Sequence, residues 1–145
     1  MSGKVLSLLA FLGAAVCLVW LVLRDAFWGT GPVTIGIQIA AGALMAWARL
    51  TFGGRSFHAT ADPTAGGLVT RGPYRYLRHP IYAAILYALW AGIVAHLSAL
   101  HVGVASLISI FLGVRMWAEE TLLRQQYPEY VDYARHTTRV VPYVF

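Results

Sequence analysis

The sequence contains few charged residues and almost no cysteine. Asp, Glu, Lys and Arg make up 12% of its 145 residues, whereas a soluble domain carries about 25%. Hydrophobic residues make up 59%, so the composition argues against an ordinary soluble domain and indicates a membrane protein. The single cysteine, Cys17, excludes a disulfide framework and a multi-cysteine metal site. We expect Cys17 to pack within an apolar helix.

Acidic residues and lysine are also scarce. The chain has 11 basic residues, nearly all of them arginine, against 6 acidic ones, which gives a net charge of +5. In a soluble protein this balance would suggest nucleic acid. In so apolar a chain it favours loops that face an anionic membrane surface, so membrane lipids and not nucleic acid are the expected partners.

Three long apolar runs predict the membrane helices. The first two are each close to the ~20 residues that cross the hydrocarbon core of a bilayer. The third, residues 80–114, has no formal charge and would be about 50 Å long as one helix, so we expect it to fold back at the polar stretch 95–101. His96 and His101 are interpreted as turn residues there, with a shared metal ion as the alternative; no metal site is expected.

The predicted fold is therefore an all-α integral membrane protein with a single domain, residues 1–145. It has about four transmembrane helices, with a tight hairpin between the last two: residues 5–23, 31–50, 80–97 and 100–117.

The placement of arginine predicts the orientation of these helices. Most arginines lie in the loop 51–79 and the tail 118–145, whereas the fold-back turn has no charge. Because positive loops stay in the cytoplasm, both segments and both termini are predicted to be cytoplasmic, in an inner or plasma membrane. Pro128 predicts a short helix from Glu129 to about His136, and Tyr130 of this helix is expected to rest on the membrane face.

A basic and aromatic stretch, RGPYRYLRHPIYAA, precedes the third run. Pro80 fits the first turn of a helix, which makes His79 the cap residue. The unpaired N–H groups of that helix start, together with Arg75 and Arg78, are suited to holding an anion. The alternative is a plain membrane anchor, but an anchor has no use for a histidine or for three tyrosines: Tyr74, Tyr76 and Tyr82.

Two carboxylates, Glu119 and Glu120, follow the last predicted span. Ionised carboxylates so near the hydrocarbon are costly unless they have partners. They could pair with Arg115 and Arg124, each four residues away on the same helix. In the functional alternative, one carboxylate accepts hydrogen bonds from ligand hydroxyls or offsets a ligand cation. A zwitterionic ligand with a ribose, such as S-adenosylmethionine, would suit a site made from the two segments.

The stretch LVTRGPYRYLRHPIYAA, followed by EETLL and YPEYVDYARHTTRVVPY, resembles the isoprenylcysteine carboxyl methyltransferase family, which is related to phospholipid methyltransferases. The likeness covers Gly66 to Tyr143. It implies an integral membrane methyltransferase that uses S-adenosylmethionine at the cytoplasmic face. It also implies a lipophilic or lipidated substrate that arrives from the bilayer through a gap between helices.

The resemblance also implies roles for individual residues. Cofactor contacts are expected from His79, Tyr82, Glu119 and Glu120, and also from Arg78 and Tyr74. Further residues are expected to line or close the same pocket: Arg75, Arg139 and Pro142. Of all these, Arg75 and Tyr82 are the candidates to lie near the transferred methyl group.

Ala84 departs from the family pattern, since many members have glycine at this position. Three alternatives to methylation of an isoprenylcysteine-like carboxylate stay open at this point. One is N- or S-methylation of a phospholipid or another amphiphile. The others are an NADPH-dependent reductase of the sterol type and a membrane subunit without catalytic activity.

Overall fold

A computed structural model of the protein describes residues 3–53 and 67–142. Within these ranges the chain is mostly helical and has no β-strand, which confirms the all-α prediction. Much of the loop predicted at residues 51–79, namely residues 54–66, lies outside the described residues. A 3₁₀ turn precedes the third helix at Gly72–Arg75. The α-helices are α1 (Gly3–Leu23), α2 (Pro32–Phe52), α3 (Pro80–Ala95), α4 (Ala99–Gln126) and α5 (Tyr130–His136).

Three of these helices, α1, α2 and α4, are long and apolar enough to cross a membrane. The helix α3 is also apolar but has only 16 residues. At 1.5 Å per residue it is about 24 Å long, which is less than the ~30 Å thickness of the hydrocarbon core. Only three residues, His96, Leu97 and Ser98, separate α3 from α4.

The helix α4 continues past the end predicted at residue 117. It runs to Gln126, because residues 118–126 are mostly strong helix formers such as Ala, Glu, Leu, Gln and Arg. Pro128 follows shortly after its end, and a residue before proline is disfavoured in a helix. Glu119 and Glu120 are therefore part of this long helix and do not belong to a separate tail.

The helices pack in two pairs, α1 along α4 and α2 along α3. The connection between α1 and α2 contacts α3 so closely that a Cβ atom at Gly92 would lie 1.9 Å from the carbonyl oxygen of Phe27. Glycine is thus required here by the approach of one backbone to another. Buried side chains from α1, this connection, α3 and α4 form the main apolar core: Ala14, Leu21, Ala26, Leu89, Ile93, Ala105, Ile108 and Leu112.

Gln38 of α2 ties the same connection to α3. Its amide nitrogen donates to the carbonyl oxygens of Phe27 at 2.6 Å and Ala88 at 3.0 Å. Its amide oxygen accepts from the backbone N–H of Gly29 at 2.9 Å. One side chain therefore makes hydrogen bonds to three backbone groups.

The two histidines near the fold-back turn bond to backbone carbonyls. Nε2 of His96 lies 2.8 Å from the carbonyl oxygen of Trp28. Nδ1 of His101 lies 2.8 Å from the carbonyl oxygen of His96. His96 therefore lies in the turn, whereas His101 lies in the first turn of α4 and bonds back to it.

A second, smaller apolar cluster lies at the opposite end of α3 and α4. It consists of Leu77, Ala83, Met116 and Val140. Because these residues come from four separate segments, the cluster holds the start of α3, the end of α4 and the C-terminal segment together.

Candidate functional site

The start of α3 and the last turns of α4 are in direct contact. His79 caps α3, with Pro80 in its first turn, as the sequence predicts. Nε2 of His79 lies 3.2 Å from Oε1 of Glu120, and Nδ1 lies 3.7 Å from Oε2 of Glu119. The start of α3 and the last turns of α4 therefore meet through one histidine, which is itself buried.

The Glu120 carboxylate is surrounded by cationic side chains. Its Oε1 atom lies 3.1 Å from Nε of Arg78 and 3.1 Å from Nε of Arg139, and its Oε2 atom accepts from Nη2 of Arg139 at 3.2 Å. The side chain is only 4% exposed. A buried carboxylate needs such partners, because charge without a partner is expensive in a low dielectric.

The pairing of Glu120 with Arg124, which the spacing allowed, is wrong. The guanidinium of Arg124 instead lies 5.9 Å from the ring centre of Tyr130. The partner that replaces it, Arg139, comes from the C-terminal segment. The hydrogen bond to Glu120 raises the pKa of Arg139 above its ordinary value.

Glu119 has a different set of partners. Nε of Arg115, one helical turn earlier, lies 3.1 Å from Oε1 of Glu119, which confirms this predicted helix pair. The hydroxyl of Tyr82 donates to the same carboxylate and accepts from Nε of Arg115 at 2.5 Å. The ring of Tyr82 also stacks on His79, with 5.6 Å between the ring centres. Tyr82 is therefore fixed by contacts on both its ring and its hydroxyl.

The C-terminal segment pairs with the motif that precedes α3. Leu77 and Thr138 form a parallel β-bridge. The backbone N–H of Arg78 donates to the carbonyl oxygen of Thr138 at 2.7 Å. The backbone N–H of His79 donates to the carbonyl oxygen of Arg139 at 3.1 Å. This backbone pairing sets the position from which Arg139 reaches Glu120.

Arg78 links three segments of the site. Besides its contact with Glu120, its Nη1 atom donates to the carbonyl oxygens of Ala134 at 2.7 Å and Thr137 at 2.5 Å. The predicted role of Arg78 was cofactor binding. In this structure its guanidinium holds the end of α5 against α4.

Tyr74 is buried beside the site, and its carbonyl oxygen accepts from the hydroxyl of Tyr133 at 2.7 Å. Burial raises the pKa of Tyr74 well above its ordinary value, so its phenol stays protonated. Its ring lies 5.4 Å from that of Phe52, at the end of α2.

Arg75 points to the surface. It is exposed, and its guanidinium carbon lies 5.7 Å from the ring centre of Tyr76. With Pro142 it lines a shallow surface cavity of about 60 Å³. Within the described part of the chain, Arg75 makes no hydrogen bond or ion pair with Glu119 or Glu120.

The expected position of Tyr130 is wrong, because its side chain is 1% exposed and lies inside the protein. The prediction placed it on the membrane face.

Arg115 is a second residue whose part in the site the sequence understated. It is buried on α4, and its guanidinium carbon lies 5.0 Å from the ring centre of Phe11 on α1. Its spacing from Glu119 was visible in the sequence, but its contact with Tyr82 was not.

Comparison with known proteins gives one clear result. The family model of the isoprenylcysteine carboxyl methyltransferases matches residues 34–125, which is more than half of the chain. The matched range runs from α2 almost to the end of α4 and contains His79, Tyr82, Glu119 and Glu120. No curated protein and no solved structure matches the chain. The chain belongs to the isoprenylcysteine carboxyl methyltransferase family, a family of membrane methyltransferases.

Proposed function

We propose that the protein is an S-adenosylmethionine-dependent methyltransferase that acts on a lipophilic substrate at the cytoplasmic membrane face. The proposed acceptor is a carboxylate of the isoprenylcysteine type. The observation that carries the proposal is the contact of His79 with both Glu119 and Glu120. Family membership supplies the reaction class, and this contact brings the two family motifs into one site.

The topology we propose has four membrane-embedded helices, with α3 and α4 as a tight hairpin and both termini in the cytoplasm. The three-residue connection between α3 and α4 supports the hairpin. Arg78, Arg115 and Arg139 gather at the end of α4 that would face the cytoplasm, which supports the orientation. The short length of α3 fits a helix whose first residues belong to the site.

The chemistry of the donor set fits S-adenosylmethionine, which carries a carboxylate, cationic groups and a ribose. The side chain of Glu119 is 21% exposed, whereas that of Glu120 is 4% exposed. We therefore assign Glu119 to the ligand, as the acceptor for a cationic group or a hydroxyl. Glu120 would act on the ligand indirectly, because it positions Arg78, His79 and Arg139. When bound, S-adenosylmethionine supplies a methyl group on a positively charged sulfur.

The protein's part in the reaction is alignment and exclusion of water. A carboxylate acceptor is already nucleophilic and needs no general base. The geometry must bring it into line with the methyl group, in a space closed to solvent. Tyr82 is suited to shape this space because Arg115 and Glu119 fix its hydroxyl. We propose Tyr82 and not the exposed Arg75 as the residue near the transferred methyl.

The observed contacts and the family match bear differently on the three alternative functions that the sequence leaves open. A subunit without catalytic activity has no need for two motifs that converge, so the 3.2 Å contact between His79 and Glu120 argues against it. The family match argues against a reductase of the sterol type. N- or S-methylation of another amphiphile would use the same cofactor site with a different acceptor.

Binding of S-adenosylhomocysteine to the purified protein in detergent micelles, measured by isothermal titration, tests the cofactor site. We expect Glu119→Gln to weaken binding by about tenfold, since it removes a charged acceptor that is worth ~1.4 kcal/mol or more. Glu129→Gln is the matched control, because Glu129 is an exposed carboxylate at the start of α5. Absence of binding by folded wild-type protein, or equal binding by Glu119→Gln, would contradict the proposal.

A further inference from the structure

The C-terminal segment, residues 137–142, brings Arg139 to the site, and this short segment contains no helix. The side chain of Arg139 is 35% exposed, so packing alone does not fix it. Two of its nitrogen atoms nevertheless reach both oxygens of Glu120. Such a two-point contact is specific in its geometry, so the backbone that carries the arginine must be held in place.

The backbone is held on each side of Arg139 by a different contact. Thr138, the residue before it, forms the β-bridge to the motif that precedes α3. Val140, the residue after it, is held by α3 itself, because the hydroxyl of Tyr87 donates to the carbonyl oxygen of Val140. Tyr87 lies eight residues after His79, which is about two helical turns farther along α3. The two neighbours of Arg139 are therefore fixed separately.

The side chain of Val140 supports the same attachment. It is 7% exposed and belongs to the second apolar cluster, against which the ring of Tyr87 packs. A backbone carbonyl beside a buried apolar cluster needs a hydrogen-bond partner, and leaving it without one costs free energy. Loss of the Tyr87 hydroxyl would therefore favour movement of the segment away from α3.

We propose that Tyr87 is a positioning residue of the cofactor site. Its hydroxyl holds Val140, and the preceding residue, Arg139, is thereby kept against Glu120. Tyr87 acts through Arg139 and makes no contact with the ligand itself. The inference rests on the proposed function, because it takes Arg139 to be one of the residues that Glu120 positions for S-adenosylmethionine. The helix α3 then serves the site twice, through His79 at its start and through Tyr87 in its second turn.

Tyr87→Phe removes only the hydroxyl, and isothermal titration with S-adenosylhomocysteine in detergent micelles measures the effect on the site. We expect the affinity to fall about fivefold, equal to ~1 kcal/mol, which is the worth of one hydrogen bond. Tyr130→Phe is the matched control, because it deletes a buried hydroxyl that has no hydrogen-bond partner within the described ranges. This control should bind like the wild type, and an equal loss in both variants would overturn the proposal.

A double-mutant cycle distinguishes positioning from a general loosening of the fold. Arg139→Gln removes the charged group through which Tyr87 acts. In this background we expect Tyr87→Phe to change the affinity for S-adenosylhomocysteine by less than about twofold, because the contact that it positions is already gone. A further fivefold loss would mean that Tyr87 acts independently of Arg139 and would overturn the proposal.

Trypsin, which cleaves after arginine, tests the attachment in the protein without ligand. Because Val140 is buried, the bond between Arg139 and Val140 is open to the protease only when the segment leaves α3. We expect Tyr87→Phe to raise the cleavage rate at this bond about fivefold, since the open population rises when the hydrogen bond is lost. Cleavage after the exposed Arg75 is the internal reference and should keep its wild-type rate. Equal cleavage at the Arg139 bond in both proteins would show that Val140 is held without Tyr87 and would overturn the proposal.

The outcomes separate this inference from the proposed function. If folded wild-type protein does not bind S-adenosylhomocysteine, the proposed function fails. The role of Tyr87 in cofactor binding then fails with it, even where trypsin confirms the attachment. If the wild type binds and Tyr87→Phe binds equally well, the inference alone is overturned.

Discussion

Replacing Glu120 with glutamine should destabilise the folded protein more than any other single change at the site. The substitution keeps the shape of the side chain but removes the negative charge that faces Arg78, Arg139 and His79. Removing one partner from a buried ion pair costs ~3–5 kcal/mol, because the remaining charge is left uncompensated. The side chain of Arg139 is 35% exposed and can regain some water, so we expect the free energy of unfolding to fall by ~3 kcal/mol.

Thermal unfolding in detergent micelles measures this loss. The single cysteine, Cys17, is half-buried in α1 and reports unfolding through reaction with a thiol-reactive fluorophore. For a chain of this size ~3 kcal/mol corresponds to a fall of ~6–12 °C in the unfolding temperature. Glu119→Gln is the control, with an expected cost of ~1 kcal/mol, because Glu119 is more exposed and pairs within its own helix. A Glu120→Gln protein as stable as the wild type would refute the reasoning, and so would a larger loss in Glu119→Gln.

Two further substitutions test the packing that positions the site, and the same unfolding assay measures both. Gly92→Ala should cost ~1–3 kcal/mol, because its methyl group would meet the carbonyl oxygen of Phe27 and force the connection between α1 and α2 to move. Gly103→Ala, with no atom within 4 Å of the added carbon, should be neutral or stabilising, and an equal loss in both variants would contradict the steric account. Gln38→Leu should cost ~2 kcal/mol, at ~0.6 kcal/mol for each of three hydrogen bonds in a membrane protein, and no loss would show that these bonds are replaced.

The parts of the fold that could be predicted depend on local patterns. Pro80 marks the start of α3 because a proline in the first helical turn loses no hydrogen bond. The apolar runs give the approximate helices, because a length near ~20 residues matches the bilayer. The end of α4 was placed too early, since hydropathy falls after Trp117 while helix propensity does not.

The partners of Glu120 could not be predicted from spacing along one helix. An i, i+4 rule offers Arg124, but Arg139 arrives through the backbone pairing of the C-terminal segment with residues 77–79. Such a contact depends on where the chain returns after α5. The same return buries Tyr130, whereas the amphipathic pattern of a short helix cannot distinguish a membrane surface from the side of α4.

Nearness in sequence to His79 does not bring Arg75 into contact with Glu119 or Glu120. Arg75 lies four residues before His79, but the 3₁₀ turn at Gly72–Arg75 ends by directing it to the surface beside Tyr76. Tyr82, three residues after His79, is directed inward by the first turn of α3 and reaches Glu119.

Methyl transfer from isotopically labelled S-adenosylmethionine to an S-farnesylated N-acetylcysteine tests the central claim most directly. The same molecule with an amidated carboxylate, and phosphatidylethanolamine, are the control acceptors. The label should enter the farnesylated acid alone and return as volatile methanol after treatment with base, as a methyl ester requires. Label that enters the amide or the phospholipid, or no transfer by protein that binds S-adenosylhomocysteine, would contradict carboxyl methylation by this site.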